Sequence, residues 1–357
     1  MVLLFINKKI LTVKSFSTVN CSNRSGSLNR QIVDRVVFSK NCHKNHFISN
    51  MAIVTNDPQI AALSERLAPS LTESKYKGQA GKIGIFGGSL EYTGAPYFAA
   101  ITALKVGADL AHVFCMKEAA TVIKSYSPEL IVHPLLDDPN AISKIEPWLE
   151  RFNAVLIGPG LGREESTFNV IKQIINICRR SQKPLVIDAD GLFLISRQPE
   201  LIQNYPPPGV ILTPNLMEFA RLNGVDNPKA ITDPNKFFEW GKTITLLVKG
   251  PQDQIMDSEK KITVSGGGSG RRCGGQGDLL AGSLTTFFTW TLQQQRNPGV
   301  PHDDRIMTAC YAACKLVREC NARAFQKKGR SMVASDMIDE IHGVFEDNFE
   351  LKATGNK

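Results

Sequence analysis

No stretch of this chain approaches the roughly 20 consecutive apolar residues that a membrane-crossing helix requires, so no membrane partner is expected. Cysteine is present at eight positions, but none forms a C-x-x-C pair and no Cys/His set has zinc spacing. Neither a metal cage nor a disulfide framework is therefore expected. Several of the cysteines lie in apolar runs, where they act as small hydrophobes and suit a reducing compartment. A Gly-x-x-x-x-Gly-Lys-Ser/Thr phosphate loop is also missing, because "WGKT" at Trp240–Thr243 lacks the leading glycine. Internal repeats and long linkers are missing too. The formal charge of +8 is confined to one end of the 357-residue chain. Residues 1–50 hold eight Lys or Arg against one acid, Asp34, which leaves 34 basic against 33 acidic residues beyond them. The body thus carries no excess charge to draw a nucleic-acid backbone.

Residues 1–50 are rich in Ser and Asn and nearly free of acids, the composition of an organelle transit peptide. The apolar start "MVLLFI" is broken by Asn7-Lys8-Lys9, which fits a secretory signal less well. A disordered tail or upstream sequence ahead of a start at Met51 is the plainer alternative. The expectation is a leader over 1–50 and one domain over 51–357. The address is mitochondrial, or plastid in a plant, with a cytosolic form beginning at Met51.

What the body contains is an alternation of short apolar runs with longer helical patterns. "KIGIF" (82–86), "AHVF" (111–114), "LIV" (130–132), "AVLIG" (154–158), "PLVIDA" (184–189), "VILT" (210–213) and "TITLLVK" (243–249) predict strands. Most are continuously apolar, as strands buried on both faces of a mainly parallel sheet should be. "GAPYFAAITALKVGA" and "TFNVIKQIINICRR" predict helices, the second with Phe168, Ile171, Ile174, Ile175 and Cys178 on one stripe. Two further helices are expected around Asp278–Leu292 and Arg305–Phe325, and "DQIMDSEKKITV" predicts a β-hairpin. The class is α/β, one domain with helices on both faces of the sheet.

Ligands of such sheets bind beyond the carboxyl ends of the strands. Polar or glycine-rich chemistry follows five of the predicted strands: Gly87–Ser89, Gly158–Arg163, Asp188–Gly191, Thr213–Arg221 and Lys249–Asp253. "GPGLG" is spaced G-x-G-x-G rather than G-x-G-x-x-G and does not open the fold, which argues against a dinucleotide-binding dehydrogenase. It reads either as a tight turn or as a backbone platform against a substrate. "GSGRRCGGQGDLL" differs: successive N–H groups before a helix form a nest for phosphate oxygens. Asp278 follows in the first helical turn, where the dipole is expected to keep it ionised. An acidic helix cap is the plainer reading. The glycines together with Arg271 and Arg272 favour an anion hole beside a proton acceptor, the arrangement phosphoryl transfer needs. Cys273 is expected to be merely small enough to fit. Asp188 and Asp190 leave magnesium approach and strand-end capping both open, so no metal ligand is assigned. His112 and His133 lie at strand ends without a Ser or Cys partner pattern and are expected to be structural.

Gly275-Gln276-Gly277-Asp278 resembles the Gly-x-Gly-Asp signature of the ribokinase-like superfamily. Together with "KGQAGKIGIFGGSLEYTGAPYFAA", "SPELIVHP", "GPGLGR" and "VIDADGL", and with the stretches 212–222 and 271–284, it is similar to one branch. That branch is the ATP-dependent NAD(P)H-hydrate dehydratases in their eukaryotic form, and the resemblance runs from about Lys77 to the C-terminus. It implies a ribokinase-like domain without a separate lid. It also implies a repair lyase that phosphorylates the ring hydroxyl of the S-form of hydrated NADH or NADPH from ATP. Loss of phosphate would then return NAD(P)H with ADP and phosphate. On this resemblance Asp278 is the base and contacts the hydrate. ATP would be held, with Mg2+, by Lys249, Gly250, Pro251, Gln252, Asp253, Gly268, Ser269, Gly270, Arg271, Arg272, Cys273, Gly274, Gly275, Gln276 and Gly277. The hydrated dinucleotide would meet Gly160, Gly162, Asn215, Leu216, Met217, Glu218, Phe219, Ala220 and Arg221. An NAD(P)H-hydrate epimerase would act alongside, and a homo-oligomer is left open. Gln276 stands where many sugar kinases carry a small residue. An ordinary sugar, pyrimidine or vitamin kinase of the same fold is the alternative enzyme, and a nucleotide-binding regulator without turnover the alternative class.

Overall fold

A computed structural model of the protein describes residues 53–72, 74, 76–233, 236–293 and 302–350. The expected leader, with Cys21, Cys42 and Met51, lies outside the described residues. The strands are β1 (Ile53–Thr55), β2 (Lys82–Phe86), β3 (Leu110–Cys115), β4 (Ile131–Pro134), β5 (Ala154–Ile157), β6 (Leu185–Ile187), β7 (Val210–Leu212), β8 (Ile244–Val248), β9 (Asp253–Met256) and β10 (Lys261–Val264). They form one sheet in the order β1-β10-β9-β8-β7-β6-β5-β2-β3-β4. From β4 across to β8 every pairing is parallel, while β9 runs antiparallel to both β8 and β10. The expected hairpin is therefore β9–β10. Strand β1 was not foreseen: three residues are too short to show a period, and it is held by parallel pairing to β10.

Side chains alternate across the sheet, so its strands feed two cores. Ile83, Ile85, Leu156, Val186, Ile211 and Leu247 point to one face. That face is covered by α1 (Pro58–Ser64), α2 (Gly94–Val106), α3 (Lys117–Tyr126), α8 (Gln276–Gln293), α9 (His302–Lys328), α10 (Ala334–Asp339) and α11 (Ile341–Asn348). Phe86, Ile157, Ile187, Leu212 and Leu246 point to the other. There lie α4 (Ala141–Leu149), α5 (Glu165–Arg180), α6 (Ala189–Arg197) and α7 (Leu216–Leu222). Helix α5 buries the stripe read from its sequence, including Phe168, Ile171, Ile174, Ile175 and Cys178.

Helix α8 is buried on every side from Leu279 to Thr291. Its hydroxyl residues are tolerated because each bonds a carbonyl, as Thr285 Oγ1 does to Ala281 (2.7 Å) and Thr289 Oγ1 to Thr285 (3.0 Å). Gly282 lets α2 touch it, since a Cβ there would stand 2.1 Å from the Ala99 carbonyl oxygen. The strand order turns back between β2 and β5, which opens a crevice at their carboxyl ends. Every described strand belongs to the one sheet, and no separate lid domain is inserted between the early strands.

Candidate active site

At the turn-back point the β2 and β5 exits are pressed together. Gly88 donates its N–H to the Gly160 carbonyl (3.0 Å), and a Cβ on Gly87 would lie 2.0 Å from the Pro159 oxygen. On Gly158 it would lie 1.8 Å from the Asp188 oxygen, and on Gly160 2.6 Å from that of Tyr92. These glycines are required by loop-on-loop contact. Gly162 faces Ser89 and donates its N–H to Asp190 Oδ2 (3.1 Å), while Arg163 Nε bonds the other oxygen of the same carboxylate (3.0 Å).

Strand β6 ends at Asp188, whose carboxylate is buried. It accepts from Thr213 Oγ1 (2.9 Å) and from Lys249 Nζ (2.7 Å). Lys249 arrives from β8, carried beside Pro214 and Asn215 by an extension of the β7–β8 pairing. Burial alone would lower its ammonium, but Asp188, Glu218 and Asp278 outweigh that and hold it above the ordinary lysine value. Three carboxylates therefore surround one ammonium. Burial, then the Asp188 charge, pushes the Asp278 carboxyl up to about 8, against the pull of Lys249 and its backbone hydrogen bond. Burial also raises Glu218. The expectation that the helix end keeps Asp278 ionised is thus weakened: desolvation and a like charge outweigh the dipole and push the carboxyl well above the usual carboxylate range.

Beside this cluster runs a cleft of about 750 Å³. It is lined by Lys249, Gly250, Pro251 and Asp253, by Gly268, Ser269, Gly270, Arg272, Cys273, Gln276 and Gly277, and by Asn215. It is lined too by Leu280 of α8 and by Cys314, Val317, Arg318 and Asn321 of α9, which the sequence does not mark as site residues. Their signal was a helical stripe spaced three to four residues apart, which is indistinguishable from ordinary core packing. The phosphate-nest segment ends on α8: Gly275 takes a positive φ of 93° and packs against Phe98 and Ala334, while Gly274 faces open space. A Cβ on Gly277 would come within 3.3 Å of Lys249 Nζ.

Several residues read as ligand contacts have protein partners. Arg271 Nε bonds the Met332 carbonyl (3.2 Å), Arg272 bonds that of Ser269 (2.8 Å), and Gln276 Nε2 bonds the Arg271 carbonyl and Cys273 Sγ, both at 3.2 Å. Gln252 is exposed outside the cleft. Both Asp253 oxygens are engaged, one by the Gly250 N–H (2.9 Å) and one by Arg318 (3.0 Å). In the stretch 215–221, Asn215 and Glu218 form a capping box that starts α7. Phe219 and Ala220 are buried toward the core, which leaves Leu216, Met217 and Arg221 facing outward. Arg221 and Arg163 both stand over the Phe193 ring, at 5.5 and 4.2 Å.

Among the described residues no set of three His, Cys, Asp or Glu is gathered to hold a metal by itself. The six described cysteines are free, with Cys273 half-buried and the others buried. His112 Nδ1 and His133 Nε2 lie 3.0 Å apart between Trp148 and Phe114, away from the cleft, as a structural pair.

A parallel sheet with a glycine-rich loop running into a buried helix, and an aspartate in that helix's first turn, defines a ribokinase-like protein. A ribokinase-like superfamily protein from Enterococcus faecalis shares the fold, with a TM-score of 0.69 at 21% identity, covering 87% of this chain and 100% of that one. So does an ADP/ATP-dependent NAD(P)H-hydrate dehydratase from Bacillus subtilis, co-crystallized with ATP and Mg2+ (TM-score 0.59, 21% identity, 78% and 94% covered). A family profile described as NAD(P)H-hydrate dehydratase matches residues 83–342. The ATP-dependent (S)-NAD(P)H-hydrate dehydratase of Aedes aegypti is 54% identical over 83% of this chain and 87% of its own length. The chain belongs to the NAD(P)H-hydrate dehydratase family.

Proposed function

We propose that the cleft takes ATP and that the protein uses it to dehydrate the S-form of hydrated NADH and NADPH. The apolar wall of Leu280, Cys314 and Val317 suits the base, and the Gly274–Gly277 backbone with Lys249 suits the phosphates, so the γ-phosphoryl group would end beside Asp278. The hydrate would approach over the strand ends, between Gly162 after β5 and Leu216, Met217 and Arg221 of α7, which follows β7. Asp278 would accept the proton of the ring hydroxyl as its oxygen attacks the γ-phosphorus and ADP departs. A base whose pKa lies near the working pH combines availability with driving force. Loss of phosphate, driven by the ring nitrogen's electron pair and completed by loss of a ring proton, then restores the reduced nicotinamide.

Asp188, Glu218 and Asp278 crowd one lysine, a carboxylate surplus that fits a cation brought in with the nucleotide. Magnesium would neutralise charge on the phosphates, and Asp188 would be the residue to hold it. The observation that carries the reading is the charge coupling of Asp278 to Lys249 and Asp188, directly after Gly277, which lines the cleft with Lys249. Residues 1–50 are proposed to act as an organelle address, and an epimerase would supply the S-form from the other hydrate. The test is to mix protein, Mg-ATP and acid-generated NADH hydrate and follow reduced-nicotinamide absorbance. Its return with free phosphate is expected. A stable phosphorylated product without that absorbance would instead identify an ordinary small-molecule kinase.

A further inference from the structure

Two loops wall the cleft, the second of them glycine-rich, and one side chain from α9 ties them together. Arg318 Nε donates to the Gly266 carbonyl (2.7 Å), Nη2 to the Pro251 carbonyl (2.6 Å), and Nη1 to Asp253 Oδ2 (3.0 Å). The same residue's carbonyl accepts the Gly268 N–H (2.8 Å), and Asp253 in turn accepts the Gly250 N–H (2.9 Å). Arg318 thus reaches the turn after β8 and the loop after β10 at once, and its side chain is only 14% exposed. Gly266, Gly267 and Gly268 all take positive φ, at 84°, 60° and 76°. Such a segment loses much conformational entropy on ordering, so something must hold it before a ligand arrives.

We propose that Arg318 is a positioning residue for the nucleotide, clasping both walls of the cleft in their ligand-ready spacing. The proposal rests on reading the cleft as the ATP site. Each guanidinium nitrogen donates to a protein acceptor, three of the five N–H groups in all, and these bonds hold the loops from the cleft wall. A planar fork with donors in fixed directions can serve three acceptors on two loops, which an ammonium on a flexible stem cannot. Preordering a binding loop raises affinity by removing an ordering cost from the binding step. The hydrate side has no share in this contact, because the Gly158–Arg163 loop and α7 are not among Arg318's partners.

The test compares wild type with Arg318→Met, Arg318→Lys and Arg318→Ala. Binding of a non-hydrolysable ATP analogue is measured, along with separate KM values for ATP and hydrate. Hydrogen bonds to charged groups are worth about 1.5–3 kcal/mol, so ATP-analogue affinity and KM for ATP should weaken roughly 10- to 100-fold. The hydrate KM and the turnover at saturating ATP should stay within about twofold of wild type, as expected of a change confined to ground-state nucleotide binding. Arg318→Lys should recover only part of the affinity, and in Arg318→Ala millimolar methylguanidinium should restore it where methylammonium does not. Folded variants that bind the analogue like wild type would overturn the clasp, as would equal increases in both KM values or a lack of guanidinium rescue. Should Arg318→Met fail to fold, the lysine variant and the rescue decide the matter. Failure of wild type itself to bind the analogue would instead remove the ATP reading.

Discussion

Asp278 is the residue on which most depends, and it stands in a poor place for a negative charge. Its nearly isosteric replacement Asp278→Asn should lower kcat by about 10²–10⁴, the usual range for a lost general base, while ATP affinity is kept or slightly improved. A near wild-type rate would reduce the carboxylate to a helix cap. Because the carboxyl is pushed up to about 8, kcat/KM for the hydrate should rise with pH and level off above that value. The same shift has a cost in stability. A folded value above the ordinary carboxyl range means that ionisation disfavours the fold, increasingly so from about pH 4 to pH 8. Asp278→Asn should therefore raise Tm more at pH 8 than at pH 5, measured by thermal denaturation in the two buffers. The His112–His133 pair has the opposite sense. Burial first, then His133 and Lys82, lowers His112 to about 4, so the folded state keeps it neutral while the unfolded chain protonates near 6.5. The contribution is complete above pH 6.5 and is lost as pH falls toward 4. Tm should drop across that window, and less steeply in His112→Phe, which keeps an aromatic ring against Trp148.

At the scale of elements, α8 is both the axis of one core and the floor of the cleft. Its contact with α2 at Gly282 leaves no room for a methyl group, since the Ala99 carbonyl oxygen lies 2.1 Å from where a Cβ would go. Gly282→Ala should cost about 1–3 kcal/mol, the usual penalty of overpacking, seen as a lower denaturation midpoint. A shift of α8 would carry Gly277 and Asp278 with it, so kcat should fall beyond the loss of folded protein. An unchanged midpoint would show that α2 yields easily at this contact. Helix α7 shows a different use of polar residues. Asn215 and Glu218 cap it, and Arg221 in its last turn is left to face outward.

For the whole molecule, β1 begins at Ile53 and pairs with β10, so a chain starting at Met51 should fold and keep full activity. Loss of folding on removal of residues 1–50 would refute the leader assignment, and a reporter carrying them should be found in mitochondria or plastids. The class of the fold was legible because buried parallel strands must be continuously apolar: runs such as "AVLIG" and "TITLLVK" stand out from their flanks. So was the position of Asp278 in the first turn of α8, since a cluster of glycines directly before an apolar run marks a loop that opens a helix. Strand β1 was not legible, being too short to carry a pattern. Arg318 was not either, because its partner Asp253 lies 65 residues away and a lone arginine on a helix reads as a solvated one. The sequence by itself determined the sheet, the loop that opens α8 and the order of the motifs, since these depend on local backbone preference and hydrophobic period. Only the tertiary structure decided which of those polar residues bond to one another and how strongly the Asp278 carboxyl is desolvated. Hydrogen-bond partners and desolvation are set by groups far apart in the chain, brought together only when the sheet closes its two cores.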